Sequence, residues 1–233
     1  MPPKDAAPDS LPKAPLRAKD RRASAPPTSD HAAKKPVGEK KTRKSRAKSI
    51  ENPGPSGLAP NVIDSLRALI RDVPNFPKHG ILFRDITTLL AVPRAFHIVV
   101  DSLAERFIGE HIDAVVGTEA RGFIFGGALA ARLNAGFVPA RKPGKLPALV
   151  DRVPYQTEYS TAMLEMHQGS IREDARVLVV DDVLATGGAA SAATELVRLQ
   201  GGSVIACAFV IELSDMGGRE RLMPMRTESV ITY

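Results

Sequence analysis

Apolar residues recur at helical spacing in four stretches of the chain, and short aliphatic runs lie between them. Residues 61–70, 93–108, 125–133 and 189–199 carry apolar side chains three or four positions apart, which predicts four helices, and residues 217–222 predict a short helical turn. Asn61 is the predicted N-cap of the first helix, which should end before Pro74. Because no sustained apolar period precedes residue 60, we expect order to begin there.

Aliphatic runs without polar alternation lie at residues 114–116, 137–140, 177–180 and 204–212. Such runs are typical of strands buried on both faces, and residues 229–233 predict a closing edge strand. Because the strands alternate with helices, we predict an α/β fold with a mostly parallel, twisted sheet covered by helices on both faces. Two segments depart from this alternation. Residues 76–87, with Pro77 and Gly80, predict an irregular segment that covers another part of the protein, and residues 151–168 predict a mobile hairpin or flap.

Residues 1–58 are rich in Pro, Ala, Lys, Arg and Ser and contain no aromatic residue. Such a composition cannot bury enough apolar surface to offset the entropy lost on ordering, so we predict a disordered basic tail at 1–58 and one folded domain at 59–233. Residues 1–60 carry 14 Lys and Arg against 6 Asp and Glu, whereas the rest carries 18 against 20. The cluster from Lys40 to Lys48 could touch nucleic acid or an acidic partner or act as a nuclear signal, but a solvated tail is favoured.

The single cysteine, Cys207, lies in an aliphatic run. It excludes an intrachain disulfide and a cysteine metal site, and it indicates a small buried residue. No apolar stretch reaches the roughly 18 residues that a membrane helix needs, and the first residues lack the apolar core of a signal peptide. A cytoplasmic protein without membrane contact is therefore expected.

The most informative stretch is residues 178–190, where a predicted buried strand ends in Asp181 and Asp182 and a turn of small residues follows. The turn precedes a predicted helix, whose free N–H groups favour a bound phosphate. Two carboxylates would repel a bare phosphate, but they would accept hydrogen bonds from the hydroxyls of a sugar phosphate and would stabilise positive charge developing on the sugar. The alternative is an ordinary strand-to-helix corner in which one acid caps the helix.

This stretch resembles the phosphoribosyl pyrophosphate binding motif of the type I phosphoribosyltransferases, in which two acids and two aliphatic residues precede Ala-Thr-Gly-Gly. The resemblance implies the type I phosphoribosyltransferase fold for residues 59–233. It also implies a phosphoribosyl-binding site made by Asp181, Asp182, Ala185, Thr186, Gly187, Gly188 and Ala189. Many relatives have a hydroxyl residue at the position of Ala189, so one side-chain contact to phosphate is expected to be missing here while the backbone contacts remain.

Residues 76–86 spell Phe-Pro-Lys-His-Gly-Ile-Leu-Phe-Arg-Asp-Ile. This segment is similar to the N-terminal signature of adenine phosphoribosyltransferases, where it forms a small hood over the base. The resemblance implies adenine binding by Leu82, Phe83 and Arg84, with the Phe83 ring stacked on the base and backbone groups bonded to its edge. By pattern alone, a phenylalanine such as Phe83 is more often a core residue.

Two further turns that follow predicted strands carry cations. Arg121 lies in a glycine-containing turn that resembles the family's pyrophosphate loop, which implies a catalytic role for Arg121 at the base and pyrophosphate end. Its alternative is a surface ion pair. Arg141, Lys142 and Lys145 lie in Arg-Lys-Pro-Gly-Lys-Leu-Pro, which is similar to a pyrophosphate-binding run of the family, although the three cations could equally form a solvated rim.

The predicted flap resembles the flexible loop of the family, which ends in Glu-Tyr and closes over the active site. The resemblance implies that Glu158 takes or shares a proton of the base and that Tyr159 belongs to this loop. Ser160 and Thr161 stand where many relatives have Gly and often Lys or Thr, so the expectation extends to Glu158 and Tyr159 alone. Glu158 could instead be a surface acid.

Together these motifs imply an adenine phosphoribosyltransferase of purine salvage, which converts adenine and phosphoribosyl pyrophosphate into AMP and pyrophosphate. Mg²⁺ is the implied cofactor, bound with phosphoribosyl pyrophosphate and with no protein side chain predicted as its direct ligand. Relatives are usually homodimers, so a homodimer is expected. The alternatives are the same chemistry on xanthine, guanine or orotate, and a regulator that senses phosphoribosyl pyrophosphate and binds DNA.

Overall fold

The structure, a computed structural model, describes residues 57–156 and 161–233. The tail predicted at 1–58 therefore lies outside the described residues, apart from its last two positions. The described helices are α1 (Pro60–Ala68), α2 (Thr87–Leu90), α3 (Pro93–Glu105), α4 (Gly122–Leu133), α5 (Gly188–Leu199) and α6 (Gly218–Leu222). The strands are β1 (Arg71–Pro74), β2 (Leu82–Asp85), β3 (Ala114–Thr118), β4 (Gly136–Ala140), β5 (Val150–Gln156), β6 (Thr161–His167), β7 (Arg176–Leu184), β8 (Ser203–Glu212) and β9 (Thr227–Thr232).

Five parallel strands form the central sheet in the order β4-β3-β7-β8-β9. Alternate residues of β7 enter two separate cores, because successive side chains of a strand point to opposite faces. Leu178 and Val180 pack in a core with α1, α3 and α4, whereas Val177 and Val179 pack in a core with α5. All four are fully buried. The predicted α/β class with helices on both faces of a parallel sheet is confirmed.

Two antiparallel hairpins lie outside the sheet. In the first, β1 pairs with β2 and forms the segment that we call the hood, residues 71–85. Its base is held by the ion pair between Arg71 and Asp85 and by a 2.5 Å hydrogen bond from the Thr88 hydroxyl to the carbonyl of Leu69. In the second, β5 pairs with β6 as the sequence predicted, and Glu165 of β6 forms a 2.8 Å ion pair with Arg152 of β5.

Three local predictions were wrong. Ala59, not Asn61, is the N-cap of α1, because Pro60 occupies the first helical turn, where a missing N–H costs nothing. The segment at 76–87 is not wholly irregular, since it contains β2 and the start of α2. β7 does not end at Asp181 and Asp182: it continues to Leu184, and it remains paired with β8.

Candidate active site

Three loops meet at the carboxyl-terminal edge of the sheet. They follow β3, β4 and β7, which are adjacent parallel strands and therefore end at the same edge. Ligands of open α/β sheets bind in the crevice outside this edge. The first loop carries Arg121, the second carries Arg141 and the two lysines, and the third is the phosphate loop, defined as Ala185–Ala189.

A cavity of about 880 Å³ separates the hood from the end of β7. Leu82, Phe83 and Arg84 line it from the hood, and the opposite side is lined by residues that the phosphoribosyl motif and the pyrophosphate loop predicted. These opposite residues are Arg121, Asp181, Asp182 and Ala185. The fold thus brings the predicted base-binding and sugar-binding residues to one space, although they lie about a hundred positions apart in sequence.

The Phe83 ring is only half-buried, and it faces a cation. The guanidinium of Arg121 lies 5.4 Å from its centroid, and the Phe76 ring meets it edge-on at a centroid distance of 5.2 Å. Leu82 is 44% exposed at the rim of the cavity. A half-buried aromatic ring at a cavity wall is suited to stacking on a flat base, whereas a core phenylalanine would be covered on both faces.

The second acid of the motif, Asp182, is buried, and it forms an ion pair with the guanidinium of Arg121. Burial lowers the pKa of Arg121, but the carboxylates of Asp182 and Asp181 raise it by more, so the net pKa is above its ordinary value. Arg121 is therefore a permanent cation held at the floor of the cavity, and Asp182 has a compensated charge.

The first acid, Asp181, has a different environment. Burial raises its pKa well above the usual value, and the neighbouring charge of Asp182 raises it further. Its Oδ1 atom accepts a 2.8 Å hydrogen bond from the backbone N–H of Asp182. Gly122 packs closely against it, since a Cβ at that position would lie 3.0 Å from Asp181 Oδ1 and 2.6 Å from the Thr118 hydroxyl. The two acids thus differ. Arg121 compensates the charge of Asp182, whereas burial disfavours the ionised form of Asp181.

The phosphate loop encloses a smaller cavity of about 290 Å³ at the N-terminus of α5. Six of the seven predicted phosphoribosyl-binding residues line it: Asp181, Ala185, Thr186, Gly187, Gly188 and Ala189. Gly187 has a φ of 74°, a conformation that favours glycine, and it lies close to Gly218 of α6. Tyr155 of the flap closes the other side of this cavity.

Arg141, Lys142 and Lys145 do not line either cavity. Arg141 forms hydrogen bonds of 3.2 and 3.3 Å to Glu119 and one of 2.9 Å to the carbonyl of Lys145. Burial raises the pKa of Glu119, but hydrogen bonds from the Lys142 backbone and from Arg141 lower it by more, so Glu119 is anionic. The side chains of Lys142 and Lys145 are exposed at the same edge of the sheet. The Arg141 guanidinium therefore lies against Glu119.

Glu158 and Tyr159 lie outside the described residues, so their expected roles stay predictions. The last described residues of β5 lie against the phosphate loop. A Cβ at Gly188 would overlap the carbonyl oxygen of Gln156 and would lie 3.2 Å from Tyr155 Cδ2. The last described residues of β5 in the flap therefore lie next to the phosphate loop.

Sequence reasoning missed four residues of this site. Tyr155 and Tyr233 line the cavities, Glu119 holds Arg141, and Gly218 supports the phosphate loop. The glycine pair at 217–218 was a visible signal for a close backbone approach. No local pattern distinguished the two tyrosines or Glu119 from ordinary surface residues.

The phosphoribosyl transferase domain profile matches residues 86–228, which include the phosphate loop, Arg121 and the loop that carries Arg141, Lys142 and Lys145. The chain belongs to the phosphoribosyl transferase domain family. Over 157 residues it is 69% identical to the adenine phosphoribosyltransferase of Sorangium cellulosum (strain So ce56), covering 67% of this chain and 78% of that protein. Over 171 residues it is 53% identical to the adenine phosphoribosyltransferase of Geobacter metallireducens, covering 73% and 100%.

Solved structures of this family have the same fold. Adenine phosphoribosyltransferase from Rhodothermus marinus DSM 4252 superposes with a TM-score of 0.72 at 46% identity, covering 74% of this chain and 99% of that one. The enzyme from Saccharomyces cerevisiae, solved with an imino-altritol bisphosphate and adenine, gives a TM-score of 0.69 at 36% identity, covering 73% and 99%. The family resemblance inferred from the motifs is confirmed. In the described part of the chain, no helix has the length and apolarity to cross a membrane.

Proposed function

We propose that this chain is an adenine phosphoribosyltransferase, which transfers the phosphoribosyl group of phosphoribosyl pyrophosphate to adenine and releases AMP and pyrophosphate in purine salvage. The observation that carries this proposal is the cavity of about 880 Å³, in which the hood faces the acid pair and the start of the phosphate loop. The relatives that bear the name of this enzyme, with up to 69% identity, support the same activity.

The base would lie against the Phe83 ring, with Leu82 and the backbone of Arg84 beside it. The supporting geometry is the half-buried ring at the cavity wall and the exposed Leu82 at its rim. A flat heterocycle gains offset or edge contacts with such a ring, worth about 0.5–1.5 kcal/mol beyond area burial. The hood therefore supplies the surface that selects a planar base.

The 5′-phosphate would lie on the phosphate loop, and the ribose would lie beside Asp181 and Asp182. The cavity of about 290 Å³ at the start of α5 supports the first placement, because the first N–H groups of a helix have no partner within the helix. The Thr186 hydroxyl adds a donor, whereas Ala189 adds none. The acid oxygens would accept hydrogen bonds from the ribose hydroxyls.

The pyrophosphate would be held by Arg121, Arg141, Lys142 and Lys145. Arg121 is at the cavity, but the other three are at the adjoining loop, with Arg141 bonded to Glu119. Binding of a polyanion would therefore compete with Glu119 for Arg141, and it would draw the two exposed lysines inward. Charge-assisted hydrogen bonds of this kind are roughly twice as strong as neutral ones.

In the reaction, a ring nitrogen of adenine forms a bond to the anomeric carbon while the bond from that carbon to the pyrophosphate oxygen breaks. The sugar carries positive charge as both bonds stretch, and the carboxylates of Asp181 and Asp182 stabilise it. Pyrophosphate leaves with its bonding electron pair, next to Arg121. The proton of the attacking nitrogen passes to a base, and Glu158 in the flap is the proposed acceptor.

The donor groups at the site fit a magnesium ion that is bound mainly by substrate oxygens. Mg²⁺ commonly takes one or two carboxylates together with substrate phosphates, and Asp181 and Asp182 are the acids that border the cavity. Among the described residues, no group of three acidic, His or Cys side chains could hold a metal alone. When bound, Mg²⁺ would neutralise charge on the pyrophosphate.

Three further expectations concern the oligomeric state, the domain bounds and the cellular location. A homodimer is supported by apolar side chains near the edge strand β4, where Phe137 is 38% and Ile124 is 42% exposed. A folded domain at 59–233 with an accessory basic tail at 1–58 is supported by the family match, which begins well after the tail. The cytoplasmic location stays a prediction.

The test of the function is turnover of purified protein with phosphoribosyl pyrophosphate and one base at a time: adenine, xanthine, guanine or orotate. AMP formation with adenine is expected, and turnover of another base with adenine inert would refute the substrate assignment. Replacing Asp181 and Asp182 together by Asn should abolish turnover, whereas Asp101→Asn, a change at an exposed acid of α3, should not.

A deletion of residues 1–58 separates the enzyme from a DNA-binding regulator. The truncated protein should keep full activity, and the whole chain should not be retained by DNA at physiological salt. Because nonspecific binding through a basic tail weakens steeply with salt, retention that persists in high salt would favour the regulator.

A further inference from the structure

Tyr233 is fixed by its backbone at the carboxyl-terminal edge of the sheet. Its N–H donates a 2.9 Å hydrogen bond to the carbonyl of Glu212, at the end of β8. Its carbonyl accepts bonds from the N–H of Ser214 at 3.1 Å and from the Ser214 hydroxyl at 2.6 Å. The ring therefore projects from a rigid frame, and it lines the cavity of about 880 Å³.

The ring of Tyr233 contacts the hood through Arg84. The guanidinium carbon of Arg84 lies 4.0 Å from the ring centroid, and that of Arg67 from α1 lies 5.5 Å from it. The Arg84 side chain is 20% exposed and also forms a 2.5 Å ion pair with Asp72 of β1. Partial desolvation strengthens a cation–π contact. Arg84 is thus held between the other strand of the hood and the sheet.

The contact between Arg84 and Tyr233 lies beside the part of the hood that would bind the base. Arg84 directly follows Phe83 in β2, so a fixed Arg84 restricts the position of the ring and of the adjoining backbone. A two-stranded hairpin is at best marginally stable by itself, so its position depends on contacts with the rest of the protein. The ion pair of Arg71 and Asp85 and the bond of Thr88 secure only its base.

We propose that Tyr233 is a positioning residue for base recognition: its ring holds Arg84, and through Arg84 it holds the hood in the conformation that accepts adenine. The proposal rests on the function proposed above and adds a determinant of base affinity that lies at the end of β9. Tyr233 does not line the phosphate cavity. Because its ring contacts Arg84 of the hood, its effect should fall on the base and not on phosphoribosyl pyrophosphate.

The kinetic test compares Tyr233→Leu with Tyr233→Phe. The Leu variant removes the aromatic face, so the KM for adenine should rise between about twofold and thirtyfold, the range that one cation–π contact allows. The KM for phosphoribosyl pyrophosphate and kcat should stay within twofold. The Phe variant keeps the face and should behave as the wild type. Equal KM values for adenine in all three proteins, or a loss in Phe as large as in Leu, would overturn the proposal.

A second kinetic test measures whether Tyr233 and Arg84 act together. Arg84→Met keeps a long side chain without the charge and should raise the KM for adenine as Tyr233→Leu does. If the two residues act as one unit, the double variant should be no worse than the more impaired single variant, because groups in direct contact are not additive. Full additivity of the two effects would refute a shared role.

Hydrogen–deuterium exchange of the hood provides a readout that needs no substrate. Amides of residues 71–85 should exchange faster in Tyr233→Leu and as in the wild type in Tyr233→Phe, while amides of β7 stay protected in both. Unchanged exchange in the Leu variant would overturn the positioning role whether or not adenine is the substrate. Failure of the wild type to form AMP would instead refute the proposed function.

Discussion

Replacing Gly218 by Ala should damage the phosphate loop without touching a ligand. Gly218 begins α6, and its backbone is not left-handed, so alanine is acceptable there in conformation. A Cβ at this position would, however, overlap the carbonyl oxygen of Ala185 and would lie 2.7 Å from Leu184 Cδ1. A leucine methyl can rotate away, whereas a backbone carbonyl cannot, so the start of the loop must move by about 1 Å to restore normal contact.

The size of the effect follows from two opposing contributions. Overpacking a well-packed site costs about 1–3 kcal/mol, and the better helix propensity of alanine returns about 0.5–1 kcal/mol of that. A net loss of about 1–2 kcal/mol corresponds to a Tm lower by about 2–8 °C for a domain of this size. A 1 Å displacement of a positioning group can cost about a hundredfold in rate, so kcat/KM for phosphoribosyl pyrophosphate should fall by about 10- to 100-fold.

The assay pairs thermal unfolding with steady-state kinetics, and Gly127→Ala is the matched control. Gly127 lies in α4, and a Cβ there would meet nothing within 4 Å. The control should be as stable as the wild type or more stable, with unchanged kinetics, because it gains helix propensity without overlap. If Gly218→Ala matched this control in both Tm and kcat/KM, the inferred support of the phosphate loop by α6 would be wrong.

Three further predictions concern titratable groups. Because burial and Asp182 raise the pKa of Asp181, ionisation of this acid destabilises the fold as pH rises. Asp181→Asn should therefore raise Tm at neutral pH, and the gain in Tm should shrink towards pH 4. An unchanged Tm at neutral pH would contradict this prediction. Hydrogen bonds from Thr87 lower the pKa of Asp85 to about 2, so Asp85→Asn should lower Tm at neutral pH, and the difference should fade as pH drops from 3.8 towards 2. Burial raises the pKa of Cys207 to about 11, so iodoacetamide should label it only after unfolding, and rapid labelling of native protein would show an accessible thiol.

The sheet could be predicted because its strands are continuous aliphatic runs. A strand buried on both faces is predicted by each of two such runs, at 177–180 and at 204–212. The end of β7 could not be predicted in this way. Its hydrogen bonds to β8 use backbone groups, which continue past the acids to pair Leu184 with Glu212, whereas the apolar pattern stops at Val180.

The loops of the site could be predicted one by one, but their ion pairs could not. Motifs mark Arg121 and Arg141 as anion-binding residues, and parallel strands bring their loops to one edge. The carboxylate that pairs with each arginine depends on distances between loops, which no local sequence pattern encodes. Arg121 pairs with Asp182, 61 positions away, and Arg141 bonds to Glu119, 22 positions away.

The ion pair of Arg121 bears on the charges of Asp181 and Asp182. Asp181 and Asp182 are adjacent, and both border the cavity, so two full negative charges there repel each other. Arg121 forms an ion pair with Asp182, and the raised pKa of Asp181 disfavours its ionised form, so the site does not hold two uncompensated anions. A bound sugar phosphate would change this balance of charges. Under the proposed function, the sugar hydroxyls would donate hydrogen bonds to Asp181 and Asp182, and the pyrophosphate would offer Arg121 a second anion, so the acid pair and Arg121 would become contacts to the substrate.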